Sequence, residues 1–150
     1  MKYELLQHDT KIFDGVKLYR IRALAAIDNF VEVGDLGGYI AKESNLSQGP
    51  DKAWVAGEAQ VWDEAQVSGN ARVSGNAQVW GDAHVFGNAE VWGNVLVSGN
   101  AQVSGNTQVS GNAQVSDNAQ ISDNARVWGD ARICDNAWVW GNARVWGDAQ

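Results

Sequence analysis

Few side chains here could do chemistry: two histidines, one cysteine and eight tryptophans stand in a background of Ala, Val, Gly, Ser and Asn. A histidine serves as general base only with an orienting partner and a substrate pocket beside it. His8 sits close to the first residue and reads as solvated, which leaves His84 as a single, weak catalytic candidate. A catalytic zinc takes three protein ligands, commonly histidines, and His8 with His84 fall short of that set unless subunits pool their ligands. Cys134 has no second cysteine to bridge, so no internal disulfide forms and a reducing compartment is expected. What the tryptophans offer is contact, a large flat apolar surface with one N–H donor.

The elements that position these residues come from a repeat. From Ala53 to Asp148 the sequence divides into sixteen hexads without insertion: AWVAGE, AQVWDE, AQVSGN, ARVSGN and onward to ARVWGD. Such a period outranks other signals when a fold is read from sequence. The third position is Val or Ile in all sixteen, and the first is Ala in fourteen, Val95 and Thr107 being the exceptions. The fifth is Gly in twelve and Asp in four, and the sixth is Asn in eleven. Ala-x-Val-x is a short alternating strand whose Ala and Val point inward while its second and fourth residues point out. Gly-Asn then turns the chain, because both residues tolerate the positive φ of a sharp corner. A strand of four and a corner of two, repeated, give a polygonal coil with a thin core of small residues.

The array resembles the left-handed β-helix hexapeptide-repeat proteins, in which an aliphatic residue is followed four positions later by Ala, Ser, Thr or Val. That resemblance implies three hexads per coil and a left hand. It also implies about five coils, roughly 25 Å tall at about 4.8 Å per coil. Residues 1–52 differ: KIFDGVKLYRIRAL reads as a β-hairpin turning at Asp14-Gly15, and Gly34, Gly37 and Gly38 follow as turn or bulge positions. GDLGGYI, NLSQ and AWV resemble the front end of hexapeptide-repeat proteins found in bacteria and in phage or prophage genomes. The expected fold is all-β: a single-stranded left-handed parallel β-helix over 53–150 behind a small hairpin cap over 1–52.

Stacking three hexads per coil sorts the outward residues into columns. One face carries Trp92, Ser110, Trp128 and Trp146, a second carries Trp62, Trp80, Ser98, Ser116 and Cys134, and the third carries Ser68, Phe86, Ser104, Ser122 and Trp140. All eight tryptophans fall at outward positions, Trp54 and Trp138 at the second and six at the fourth, so none is expected in the core. Trp128, Trp138, Trp140 and Trp146 crowd the last coils, where a contact surface is expected. The Trp62–Trp80 pair reads instead as ordinary cross-strand packing. Gln60 with Gln78, Gln102 with Gln120, and the corner asparagines are placed for amide ladders along the coil axis. Asp130 and Asp148 also stack, as corner residues, and no metal is expected.

Charge narrows the function further. Acids outnumber bases 18 to 11, for a net charge of −7, which opposes direct contact with nucleic acid, since phosphate contacts need Lys and Arg. No apolar run approaches the roughly 18 residues of a membrane span, and the start of the chain lacks a signal-peptide core. The cytoplasm of a bacterial host, or a virion, is the expected location. The expected function is non-catalytic: a scaffold docking a protein partner, a host protein among the candidates, or a second copy of itself. Trp92, Trp128, Trp138, Trp140 and Trp146 and the open C-terminal end would form the contact, in a trimer or an end-to-end dimer, with no cofactor. Because relatives of this fold include acyltransferases with a histidine base, an acyl- or nucleotidyl-transferase with an inter-subunit site near His84 is the alternative. A protein that sequesters a small ligand, such as a nucleotide stacked on Trp, is a third reading.

Overall fold

Positions two and three of every hexad form a two-residue strand, from Trp54–Val55 to Arg144–Val145. In this computed structural model, which describes residues 1–150, strands three hexads apart pair in parallel and in register. Val55 pairs with Val73, Val73 with Val91 and Val91 with Val109. Backbone N–H groups at positions two, four and six donate to carbonyls at positions one, three and five of the next coil. Trp54 thus donates to Ala71 (3.0 Å), Ala56 to Val73 (2.8 Å) and Glu58 to Gly75 (3.0 Å). Three parallel sheets wrap a core in which nearly every Ala and Val of the first and third positions is fully buried.

At the corners the two turn residues divide the work. All sixteen fifth positions have positive φ, Asp63, Asp117, Asp123 and Asp135 included, whereas no sixth position does. The expectation that Gly and Asn share the left-handed conformation is therefore corrected. The aspartates repay their strained backbone with a bond across coils: Asp63, Asp117 and Asp123 each accept the N–H of the next fifth position at 3.0–3.2 Å. Sixth-position asparagines form the expected ladders, such as Asn70–Asn88–Asn106–Asn124 at 2.9–3.3 Å. The glutamine columns form none, and Gln60 is buried with its Oε1 unpartnered.

Thr107 is the one polar residue at the first position, fully buried with Oγ1 unpartnered. Val95 occupies the same position, fully buried, so a branched side chain fits there. Thr107→Val removes the unpaired hydroxyl at nearly constant shape and is expected to stabilise the chain by about 1 kcal/mol. Urea unfolding checks it, as a higher midpoint at unchanged slope.

The front end is an antiparallel hairpin, β1 (Tyr3–Phe13) and β2 (Val16–Ala23), closed by Asp14 and Gly15, both at positive φ. β3 (Leu36–Ile40) pairs antiparallel with β2 and parallel with the strand Gln60–Val61. The solenoid pairing therefore reaches back before Ala53. Ile40 sits over Val61 and Leu46 over Val67, both buried, and these two sides bring the total to about six turns, against five and a third from the hexads alone. Gly34 is a turn residue, at φ +94. Gly37 and Gly38 lie within β3, next to a register shift in β2 between Arg20 and Arg22. Tyr3, Ile21, Ile27 and Val31 then plug the end of the solenoid core.

Polar side chains fasten this plug. Buried Lys2 places Nζ 2.8 Å from Asp51 Oδ1 and 3.0 Å from the Ala53 carbonyl. Burial alone would raise the Asp51 carboxyl, but hydrogen bonds from Lys2, Ser47 and the Gly69 N–H hold it below its ordinary value. The Tyr3 hydroxyl donates to the Leu46 carbonyl at 2.6 Å, and burial, followed by the charge of Glu43, raises its pKa.

Candidate functional site

The front end changes the status of two tryptophans. Trp54 and Trp62 occupy outward positions, yet they are 5% and 4% exposed because the hairpin folds over them. Trp54 meets Tyr3 edge-on at 6.4 Å, and Trp62 meets Phe13 at 5.2 Å within a cluster that includes Leu18 and Tyr39. The expectation that no tryptophan belongs to a core is corrected for these two. Trp80 stacks on Trp62 at 5.2 Å with planes 5° apart.

The other tryptophans remain on the surface, placed by strand register alone. Trp92, Trp128 and Trp146 share one face, their strands linked through Gln108–Val109. Trp138 and Trp140 stand on the adjacent face, at the second and fourth positions of one hexad, at 67% and 62% exposure. Trp146 is 58% exposed. Only one pair of these candidates is in ring contact: Trp128 and Trp146 stack at 5.3 Å with planes 10° apart. Between Trp92 and Trp128 the column holds Ser110, and these three line a cleft of about 330 Å³ together with Gln108, Arg126 and Arg144.

Electrostatics single out the same face. Every ion pair in the molecule lies within residues 2–72. Arg126 and Arg144 have no carboxylate partner and are in-register neighbours on adjacent strands, both exposed. Like charges directly opposite in a sheet repel, so the pair presents uncompensated positive charge beside two tryptophans. The sequence places Trp92, Ser110 and Trp128 in one column, but neither arginine stood out in it. The signal that could have found the site was the second-position column beside it, ending in Arg126 and Arg144.

His84 is half-buried in register between Gln66 and Gln102, and its ring makes no side-chain hydrogen bond. Asp117, Cys134 and Asp135 bring ligand atoms within 4.8 Å of one another on the surface, but Asp117 already accepts the Asp135 N–H as a corner residue. Asp130 accepts from Asn112 in a corner ladder.

The register, the corners and the stacked columns decide the class. This is a repeat β-solenoid protein. The family described as the YdcK beta solenoid repeat has a model that matches residues 65–81 and 119–131, so the chain is similar to that family in two parts of the array. Comparison with curated proteins finds no match. No helix is long and apolar enough to cross a membrane.

Proposed function

We propose that this solenoid is a non-catalytic docking scaffold whose tryptophan faces join it first of all to a second copy of itself. The observation that carries the reading is the exposure of Trp138, Trp140 and Trp146, each more than half uncovered, on two adjoining faces. Three indoles of roughly 200 Å² each at that exposure offer on the order of 350 Å² of apolar ring, about the largest patch usual on a monomer. They stand on a backbone whose hexads run without insertion, so little backbone freedom is lost when they are covered. The resemblance of GDLGGYI, NLSQ and AWV to phage and prophage proteins supports a phage-associated role, in the host cytoplasm or on a virion.

Native mass spectrometry with sedimentation velocity tests the proposal. The expected result is a dimer or trimer of the 16.2 kDa chain, reverting to monomer in Trp138→Ser/Trp140→Ser/Trp146→Ser. The far-UV circular dichroism should be unchanged, because these rings lie outside the core, and the melting temperature should fall only by the stabilisation that association adds. A monomeric wild-type chain at tens of micromolar, roughly the range of weak association, would overturn self-association and leave these faces to a partner from elsewhere.

A further inference from the structure

We propose that the cleft over Ser110 is a nucleotide site, taking a purine base between Trp92 and Trp128 and its phosphate on Arg126 and Arg144. The argument begins with spacing. Trp128 and Trp146 show what one coil step does to two indoles in this column: a near-parallel stack at 5.3 Å. Trp92 stands two such steps from Trp128, with the small Ser110 in between. One planar ring seated over Ser110 repeats the stacked step on both sides, so the gap has the thickness of a single aromatic plane. Two rings would not enter, and an aliphatic group would leave both indole faces poorly covered. Aromatic sandwiches of this kind hold bases because every base has a π-face.

Charge selects among flat ligands. Arg126 and Arg144 line the cleft on its Trp128 side, project from the same face and lack any carboxylate partner, while Glu90, the outward residue beside Trp92, repels a phosphate from the opposite wall. Two adjacent guanidinium groups with no internal counter-ion suit a phosphate dianion, which can accept paired N–H bonds from each. Gln108, between the two walls of the cleft, has an amide able to meet a base edge. A cleft of about 330 Å³ lies at the small end of ligand sites, in the size range of a mononucleotide. Elsewhere the array is acidic, so a long polyanion would be repelled where a single nucleotide is not. The site goes beyond the docking reading and does not depend on it, since Trp138 and Trp140 take no part.

Adenosine and guanosine 5′-monophosphate, titrated into the full chain by calorimetry and tryptophan fluorescence, test the site. Adenosine and inorganic phosphate serve as the half-ligands. At least one nucleotide should bind at one site per chain with quenching. Each half-ligand should bind at least about tenfold more weakly. Arg126→Gln/Arg144→Gln should bring the nucleotide down to the level of adenosine. Ser110→Trp places in the gap a residue that the same column already accommodates at three positions, so the fold and oligomeric state should persist while binding disappears. No binding of either nucleotide up to about 1 mM would overturn the proposal. So would binding that survives Ser110→Trp, or inorganic phosphate binding as tightly as the nucleotide. The oligomer test uses Trp138, Trp140 and Trp146, none of which lines the cleft, so a failure of either proposal is read separately.

Discussion

Gly37→Ala is expected to destabilise the chain by about 3–5 kcal/mol and to uncouple the hairpin from the solenoid. A Cβ at Gly37 would lie 2.5 Å from the Val55 carbonyl oxygen and 2.6 Å from Ile21 Cγ1. The first is backbone in the opening strand of the array and the second is a fully buried plug residue, so neither can move aside cheaply. Gly34→Ala is the control. Its Cβ meets nothing within 4 Å, and only the φ of +94 is strained, for a cost of about 1–2 kcal/mol. Gly49 has ordinary space and no positive φ, so its alanine variant should be close to neutral. Chemical denaturation ranks the three variants. If Gly37→Ala proved no worse than Gly34→Ala, close packing of β3 against the first coil would not be what holds the front end. Hydrogen exchange adds location: amides of the first turn should lose protection before those in the middle of the array.

The hexad pattern alone made the array legible, because each of its positions has one physical job. Val61, Val79 and Val97 had to face inward, and the columns, the register and the asparagine ladders follow from that. Two things were hidden. Ile40 and Leu46 are spaced as one hexad, but Val55 comes nine residues after Leu46, since Gln48–Asp51 shifts the phase. A search for an unbroken period therefore starts two sides late. The burial of Trp54 and Trp62 was hidden for a different reason. A repeat code states which way a side chain points, not what a distant segment such as Tyr3, Phe13 or Leu18 lays over it. The candidate cleft falls between these cases. Its column was visible, but its depth depends on Ser110 interrupting a tryptophan stack, and its polarity on two arginines that lack partners only because no acid of the array comes within ion-pairing distance of them.

That front end turns on Asn45, and Asn45→Ala is expected to cost about 3–6 kcal/mol. The side chain is fully buried and completely used. Its Oδ1 accepts the Ala41 N–H (3.1 Å) and the Lys42 N–H (2.9 Å), while Nδ2 donates to the carbonyls of Asp63 (3.1 Å) and Ala65 (2.9 Å). One amide thereby joins the tight turn after β3 to the coil beneath it, and truncation leaves the Lys42 N–H and the Asp63 and Ala65 carbonyls without partners, while the Ala41 N–H keeps only the Val61 carbonyl (3.1 Å). Asn45→Asp separates this account from a simple loss of volume. An aspartate still accepts from Ala41 and Lys42, but its other oxygen faces two carbonyl oxygens, so the folded state favours the protonated acid. Its folded pKa is then raised, and the variant should gain stability as pH falls from 7 through that value. The gain ends below the unfolded carboxyl value near 4. Thermal melts of both variants between pH 4 and 8 measure the difference. A flat difference between Asn45→Asp and wild type across that range would mean that Nδ2 and its two carbonyls contribute little, and that the turn stands on its Oδ1 bonds alone.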